Sequence, residues 1–84
     1  MNLVTVRYFA AVKQAATVAQ DQVAASSLAE ALEQVRHQHG PRFAEVLAVC
    51  SFLVDGTPVG ARDHATVSLG AGCQVDCLPP FAGG

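Results

Sequence analysis

Charged residues are scarce in this sequence, and neither sign is in clear excess. Only 14% of the 84 residues are charged, and five basic residues against seven acidic ones give a net charge of −2. Because proteins that bind nucleic acid carry a positive excess that meets the phosphates, this balance argues against a nucleic-acid partner. Hydrophobic residues make up 51% of the chain, which excludes a disordered charged tail and predicts one well-packed domain.

Targeting and membrane signals are also missing. The N-terminal residues lack the basic segment and apolar core of a signal peptide. No apolar run approaches the roughly 18 residues that a membrane-spanning helix needs. We therefore expect a protein of the reducing cytoplasm, without a membrane partner.

Cysteine is too rare to build a metal cluster. The three cysteines cannot supply the four ligands of a two-iron centre, which excludes a ferredoxin. Cys73 and Cys77 would share one face of a strand, but about 13 Å would separate them, too far for a disulfide or a shared metal. We expect both to be small core residues, and we expect no bound metal.

The body of the chain shows no motif for a self-contained active site. His37 and His39 lie roughly 200° apart around a helix, so they cannot share a ligand, and their place in its last turn suits a helix-dipole interaction. His64 stands next to Asp63, but adjacent residues do not face each other in a regular element, and no serine or cysteine motif marks a nucleophile.

The first third of the chain predicts two strands. Val4, Val6 and Tyr8 alternate with more polar residues, as in a half-buried strand. Residues 10–16 then predict a short helix or turn, and residues 17–25 a second strand. The pair would form a hairpin with a wide connection.

A capping box marks the main helix. Ser27 and Glu30 have the spacing at which each side chain caps the other's backbone donor. An apolar stripe at Leu28, Leu32 and Val35 follows, and Gly40 with Pro41 would end the helix. Residues 42–50 predict a short second helix.

The remaining signals belong to strands. Asp55 and Gly56 between apolar residues are the strongest short-range signal for a hairpin. Residues 73–78 alternate as a final strand. A hairpin, a helix and further strands predict an α+β fold, a β-grasp roll with a mixed sheet on one main helix, formed by residues 1–78, followed by an extended tail at 79–84.

Two apolar residues break the alternation of their strands. Phe9 and Leu78 fall on the polar side of the first and last predicted strands. If those strands are neighbours, the two side chains could join in one exposed patch that binds a protein. The alternative is that both belong to the edge of the core.

The tail "LPPFAGG" carries the remaining chemistry. Prolines fix the direction of the chain, the last residues are slim enough for a narrow pocket, and a carboxylate on Gly84 would be the reactive group. The tail residues are Pro79, Pro80, Phe81, Ala82, Gly83 and Gly84. After adenylation by ATP on a separate enzyme, the carboxylate could accept sulfide, giving a sulfur carrier, or an amine, giving a protein tag.

With "VRYFAAVKQ", "VDGTPV" and "DHATVSLGAGCQV", this tail makes the whole sequence resemble the MoaD and ThiS family of β-grasp sulfur carriers. The double proline before the diglycine resembles the molybdopterin synthase branch more than the thiazole branch. Carriers that serve thiazole, cysteine or tRNA sulfur chemistry, ubiquitin-like modifiers and a small interaction domain with an inert tail remain alternatives. Lys13 and Gln14 depart from an Arg-Glu pair that is common in the family, and Gly72, Cys73 and Gln74 depart from its Gly-Asp-Glu.

The resemblance implies a carrier that is not catalytic alone and binds no cofactor. An E1-like, MoeB-like adenylyltransferase would use ATP to activate Gly84, and a sulfur donor would convert it to a thiocarboxylate. The tail would then enter a MoaE-like large subunit of a heterotetramer and pass sulfur to cyclic pyranopterin monophosphate. Phe9 and Leu78 match the apolar docking surface of the family, and Pro58 stands at a third position of that surface, where it replaces the usual aliphatic side chain.

Overall fold

The computed structural model describes residues 2–80, which contain one five-stranded sheet and three α-helices. The elements in chain order are β1 (Asn2–Tyr8), α1 (Ala10–Ala16), β2 (Gln20–Ala25), α2 (Leu28–His39), α3 (Pro41–Leu47), β3 (Ser51–Val54), β4 (Thr57–Pro58), a 3₁₀ turn (His64–Thr66) and β5 (Gln74–Leu78). None of the helices in this described part of the chain is both long and apolar enough to span a membrane.

The sheet is mixed, with the first and last strands adjacent at its centre. The strand order is β2-β1-β5-β3-β4, in which β1 and β5 run parallel and every other pair runs antiparallel. This arrangement, with the helices on one face, confirms the predicted α+β roll of the β-grasp type. The parallel pairing brings the carboxyl ends of β1 and β5 side by side.

The helix-facing side of the sheet forms the core. Alternate residues of β1 are buried there, as the period of two predicts, and apolar side chains of α2 and α3 cover them. Cys73 and Cys77 are buried free thiols within this core, which confirms the prediction made for them. The largest fully buried side chains are Phe43, Leu28, Leu32, Leu47, Leu69, Val4, Val6, Val12, Val35 and Val75.

The start of α2 confirms the predicted cap. The Glu30 amide donates to Ser27 Oγ at 3.2 Å, and Glu30 Oε1 accepts from the Ser26 amide at 2.7 Å. The carboxylate thus caps the residue before the one that the ordinary capping box uses. The apolar residues of the predicted stripe are all buried.

Two elements have a boundary that differs from the prediction by three residues. The second strand begins at Gln20 rather than Thr17, because Thr17 adopts a left-handed conformation (φ 64°) and its amide closes α1 on the Lys13 carbonyl at 2.9 Å. The short second helix begins at Pro41 and ends at Leu47 rather than spanning 42–50. Proline suits a first helical position because its φ is already helical and its missing donor is not needed there.

The predicted hairpin turn ties β3 and β4 to the start of β5. Asp55 and Gly56 both have positive φ, 49° and 83°, as a two-residue type I′ turn requires. The Asp55 carboxylate also accepts from the Gln74 amide at 2.9 Å, and the Asp55 amide donates to the Gln74 carbonyl at 2.8 Å. The turn therefore helps to set the register of the last strand.

The two histidines of α2 both lie in its last turn, as predicted, and both meet carboxylates. His37 Nε2 lies 2.9 Å from Glu33 Oε1 on the exposed side of the helix. His39 Nε2 lies 2.5 Å from Asp21 Oδ2, which also accepts from the Tyr8 hydroxyl at 2.7 Å. This second contact fastens the end of α2 to β1 and β2.

Candidate functional site

The side of the sheet away from the helices carries a patch of apolar side chains around one ion pair. We call this set the outer patch and define it by Phe9, Leu53, Pro58 and Leu78 around Arg7 and Asp76. Phe9, Leu53 and Leu78 are half-buried and Pro58 is exposed. Within residues 2–80, this is where apolar side chains gather on the face opposite the helices.

Strand pairing explains how the patch forms. Arg7 pairs with Asp76 across the parallel β1 and β5, and Asp76 pairs with Leu53 of the antiparallel β3. Because side chains alternate between the faces of a strand, Leu78 lies on the same face as Asp76, two residues further along. We expected Phe9 and Leu78 to join in one patch if the first and last strands are neighbours. β1 and β5 are neighbours, so this condition is met.

Pro58 enters the patch from the other edge of the sheet. It lies directly opposite Leu53 in the β3-β4 pair. The patch therefore extends across four strands, from β1 through β5 and β3 to β4. Successive strands lie about 4.8 Å apart, so the apolar surface is roughly 14 Å wide.

The ion pair of the outer patch has bidentate geometry. Arg7 Nε donates to Asp76 Oδ1 at 2.7 Å, and Arg7 Nη2 donates to Asp76 Oδ2 at 3.0 Å. The hydrogen bond to Asp76 raises the pKa of Arg7 above its usual value. Arg7 Cζ lies 5.3 Å from the centroid of the Phe9 ring, so the guanidinium also makes a cation–π contact.

Asp76 is sheltered although it lies on the outer face. It is 8% exposed, and among the described residues it is the one buried side chain that is acidic or basic. The Arg7 side chain above it remains 38% exposed. A buried carboxylate needs such a partner, because an isolated charge away from water is strongly unfavourable.

The tail begins beside this patch with two prolines, which we call the neck. Pro79, half-buried, and Pro80, exposed, follow directly on β5, whose end adjoins the end of β1. The predicted roles of Phe81 and of residues 82–84 fall outside the described residues, so they stay predictions.

A hollow borders the patch on the side of α1. It has a volume of about 340 Å³ and is lined by Arg7, Phe9, Lys13 and Gln20, among others. Gln14 lines an adjoining hollow next to Lys13. Of the two residues that depart from the common Arg-Glu pair, Lys13 therefore lines the hollow beside the outer patch, whereas Gln14 lines only the adjoining one.

The thiols of the chain are poor nucleophiles. Burial raises the pKa of Cys50 to about 11, and burial with nearby Cys50 and Asp76 raises the pKa of Cys77. The thiolate is the reactive form, so these groups are held in their unreactive form at neutral pH. Within residues 2–80, no three His, Cys, Asp or Glu side chains gather where they could hold a metal ion.

Sequence reasoning missed three members of the patch: Arg7, Asp76 and Leu53. A weak signal existed, because Arg7 stands two residues before Phe9 and Asp76 stands two residues before Leu78. These two residues have opposite charges and stand at the same distance before an apolar residue that breaks the alternation. If the first and last strands are parallel neighbours, this pattern predicts that the two charges pair across them. Leu53 gave no such signal, because it lies in a continuous apolar run.

Comparison with known proteins identifies a matching family and several solved structures with a similar fold. The model of the ThiS family matches residues 6–84. No curated protein matches the sequence significantly.

Solved structures are similar over nearly the whole chain. Small archaeal modifier protein 1 from Methanosarcina acetivorans has a TM-score of 0.86 at 18% identity, with 100% of this chain and 98% of that chain covered. Urm1 from Trypanosoma brucei has a TM-score of 0.74 at 14% identity, with 99% and 96% covered. At such identities the likeness shows the shared ubiquitin-like fold.

A third structure is more similar in sequence. It is a chain of the complex between subunits 1 and 2 of the molybdopterin-converting factor from Helicobacter pylori, at 26% identity and a TM-score of 0.71. The match covers 98% of this chain and 99% of that chain.

Proposed function

We propose a function for this chain from one premise: the chain belongs to the ThiS family of ubiquitin-like sulfur carriers. In our proposal, Gly84 bears sulfur as a thiocarboxylate, and the chain delivers it as the small subunit of molybdopterin synthase. The chain is not catalytic alone and holds no cofactor of its own.

The observation that carries this proposal is the position of the outer patch. Its half-buried apolar side chains lie at the end of β5, where the chain enters the neck at Pro79 and Pro80. A partner that binds the patch would receive the tail at a fixed point. Six residues from Pro79 onward can extend up to about 20 Å from there, enough to enter a pocket.

The chemistry begins with an unreactive carboxylate. An activating enzyme of the MoeB-like, E1-like class would join the Gly84 carboxylate to the adenylate of ATP, releasing pyrophosphate. A sulfur donor would then displace AMP and leave a thiocarboxylate. The protonated thiols of this chain would compete poorly for the activated carbonyl, because a thiol attacks as its thiolate.

The assignment to molybdopterin synthase is the finer part of the proposal. It is supported by the Helicobacter pylori relative, whose structure is a complex of subunits 1 and 2 of a molybdopterin-converting factor. By analogy, a MoaE-like large subunit would bind the outer patch and accept the tail within a heterotetramer. Sulfur would pass there to cyclic pyranopterin monophosphate.

Mass spectrometry tests the carrier function directly. The intact mass first establishes that the purified chain ends at Gly84. Incubation with the activating enzyme, ATP and a sulfur source should then add about 16 Da, because one oxygen is exchanged for sulfur. A variant that lacks Gly84 is the matched control, since its domain is unchanged. An unchanged mass with an enzyme that thiocarboxylates its own carrier contradicts the proposal.

A second assay separates the pathways. The thiocarboxylated chain, mixed with the large subunit of molybdopterin-converting factor from the same organism and with cyclic pyranopterin monophosphate, should yield the dithiolene product. Conjugates of the chain to other proteins, lost on deletion of Gly84, would instead identify a protein modifier. Sulfur transfer to a thiazole synthase or to tRNA would identify another carrier pathway.

A further inference from the structure

The guanidinium of Arg7 is held in one orientation within the outer patch. Asp76 fixes it through two hydrogen bonds of 2.7 and 3.0 Å, and the Phe9 ring lies 5.3 Å from Arg7 Cζ. Leu53 lies directly across from Asp76, and Leu78 lies two residues along β5. A charged group thus lies on the β1 side of the outer patch, whose members other than Arg7 and Asp76 are apolar.

Arg7 retains hydrogen-bonding capacity that the domain does not use. Of its five N–H donors, Asp76 takes the one on Nε and one on Nη2. The other three, two on Nη1 and one on Nη2, bind no group within residues 2–80. With 38% of the Arg7 side chain exposed, water can solvate them in the free protein.

A partner that covers the patch must replace that water. Donors left without an acceptor in a buried interface weaken binding by about tenfold or more. The outer patch therefore disfavours a partner surface that is apolar throughout, even though such a surface would fit its apolar rim. Selectivity of this kind arises from the penalty on the wrong partner.

The charge of the acceptor follows from Asp76. This carboxylate already neutralises Arg7, so the pair carries no net charge. A partner carboxylate on the same guanidinium would place two like charges near each other in a desolvated interface, which is unfavourable. A neutral oxygen satisfies the donors without that repulsion.

We propose that the Arg7–Asp76 pair determines which partner binds, by requiring a neutral oxygen acceptor opposite Arg7 within an otherwise apolar partner surface. A main-chain carbonyl or the oxygen of a side-chain amide or hydroxyl would serve. The inference rests on the proposed function, because it assumes that the outer patch docks the large subunit of molybdopterin synthase.

The test measures the dissociation constant of each variant for that large subunit by calorimetry. In the double variant Arg7→Leu with Asp76→Leu, the patch becomes wholly apolar and the net charge is unchanged. Buried area alone predicts tighter binding. Our proposal predicts binding about tenfold weaker, because the partner's acceptor then lacks a donor. Equal or tighter binding overturns the proposal.

Single variants keep the test decisive if the double variant folds poorly. Arg7→Lys retains a cation next to Asp76 but loses the planar fork, and it should also bind about tenfold more weakly. Asp76→Asn removes the internal counter-charge. Equal or weaker binding of this variant supports a neutral acceptor, whereas tighter binding reveals a partner carboxylate and overturns that part of the proposal.

A matched control removes an ion pair elsewhere. Glu33→Leu with Arg36→Leu deletes an exposed pair on α2 at 2.9 Å, with the same change in charge. It should bind as the wild type does. If the wild type itself does not bind the large subunit, the proposed function fails; if the wild type and the Arg7 and Asp76 variants bind alike, this inference alone fails.

Discussion

The two faces of the central strands use neighbouring residues for different purposes. On the inner face, Val6 and Val75 pair across β1 and β5 and are fully buried. One residue further along, Arg7 and Asp76 pair on the outer face as ions with part of their surface exposed. The same pair of strands thus supplies core packing on one side and, in our proposal, recognition of a partner on the other. Substitutions on the two faces should therefore affect different measurements.

The largest expected effect is on the inner side. Phe43 is fully buried and packs edge-on against Tyr8, with ring centroids 5.3 Å apart. Phe43→Ala should lower the free energy of unfolding by about 3–5 kcal/mol, because it removes apolar contacts and leaves a cavity. Urea denaturation followed by circular dichroism measures this loss. A cost below 1 kcal/mol would contradict the assignment of Phe43 to the core.

The next effect is on the outer side and concerns binding. Leu78→Asp places a second carboxylate in the outer patch, next to Asp76. We expect binding to the large subunit to weaken at least about 100-fold, because the new charge loses its water in the interface. The free energy of unfolding should change by less than about 1 kcal/mol, since Leu78 is only half-buried.

One result for Leu78→Asp would contradict the assignment of Leu78 to the outer patch. If Leu78→Asp unfolds the chain as severely as Phe43→Ala, then Leu78 belongs to the core. That outcome would restore the alternative in which the out-of-phase apolar residues are merely its edge.

A smaller effect appears at high pH. Burial, together with the hydrogen bond to Asp21, raises the pKa of Tyr8 above its usual range. Below pH 10, Tyr8 is neutral in both the folded and the unfolded chain, so it adds no pH dependence to the free energy of unfolding. Above it, tyrosine ionises in the unfolded chain but not in the folded one, so stability should fall by about 1.4 kcal/mol per pH unit.

Tyr8→Phe isolates this contribution. The variant should lose about 1 kcal/mol at neutral pH with the hydrogen bond to Asp21. Its stability should fall less steeply than that of the wild type above pH 10, and the cysteines, common to both proteins, cancel in the difference. Because the chain has a single tyrosine, absorbance near 295 nm follows its ionisation. Identical pH profiles would contradict the burial of this hydroxyl.

The smallest expected effect marks the boundary of the patch. Leu3 is 57% exposed on the outer face of β1, at the end away from Phe9. Leu3→Ala should change neither stability nor binding by more than about 0.5 kcal/mol. Leu53→Ala, measured alongside it, should weaken binding. Equal effects of the two on binding would show that the docking surface covers the whole outer face.

Local signals in the sequence were sufficient for most of the fold. The alternation through Val4 and Val6, the cap at Ser27 and the Asp55–Gly56 turn each involve residues close in sequence, and each predicted its element. The start of β2 was wrong by three residues because Thr17 takes a left-handed conformation, which propensity disfavours and the end of α1 requires.

Long-range pairing could not be predicted in the same way. The contact between Arg7 and Asp76 spans 69 positions of the sequence and depends on β1 and β5 being parallel neighbours in one register. A shift of one residue would move Asp76 to the inner face. The position of Phe9 and Leu78 on the polar side of their strands therefore indicated a surface. It indicated neither the ion pair of the outer patch nor the contribution of Leu53.

The parallel pairing of β1 with β5 also has a mechanical consequence. The neck continues from the carboxyl end of β5, so tension on the tail pulls that strand along its own axis. β1 on one side and β3 on the other both hold β5 through hydrogen bonds that run across this axis. The force then acts in shear on the whole row of hydrogen bonds at once. The bonds do not break one at a time from the end of the strand. A domain built in this way resists being unravelled by a pull on its tail.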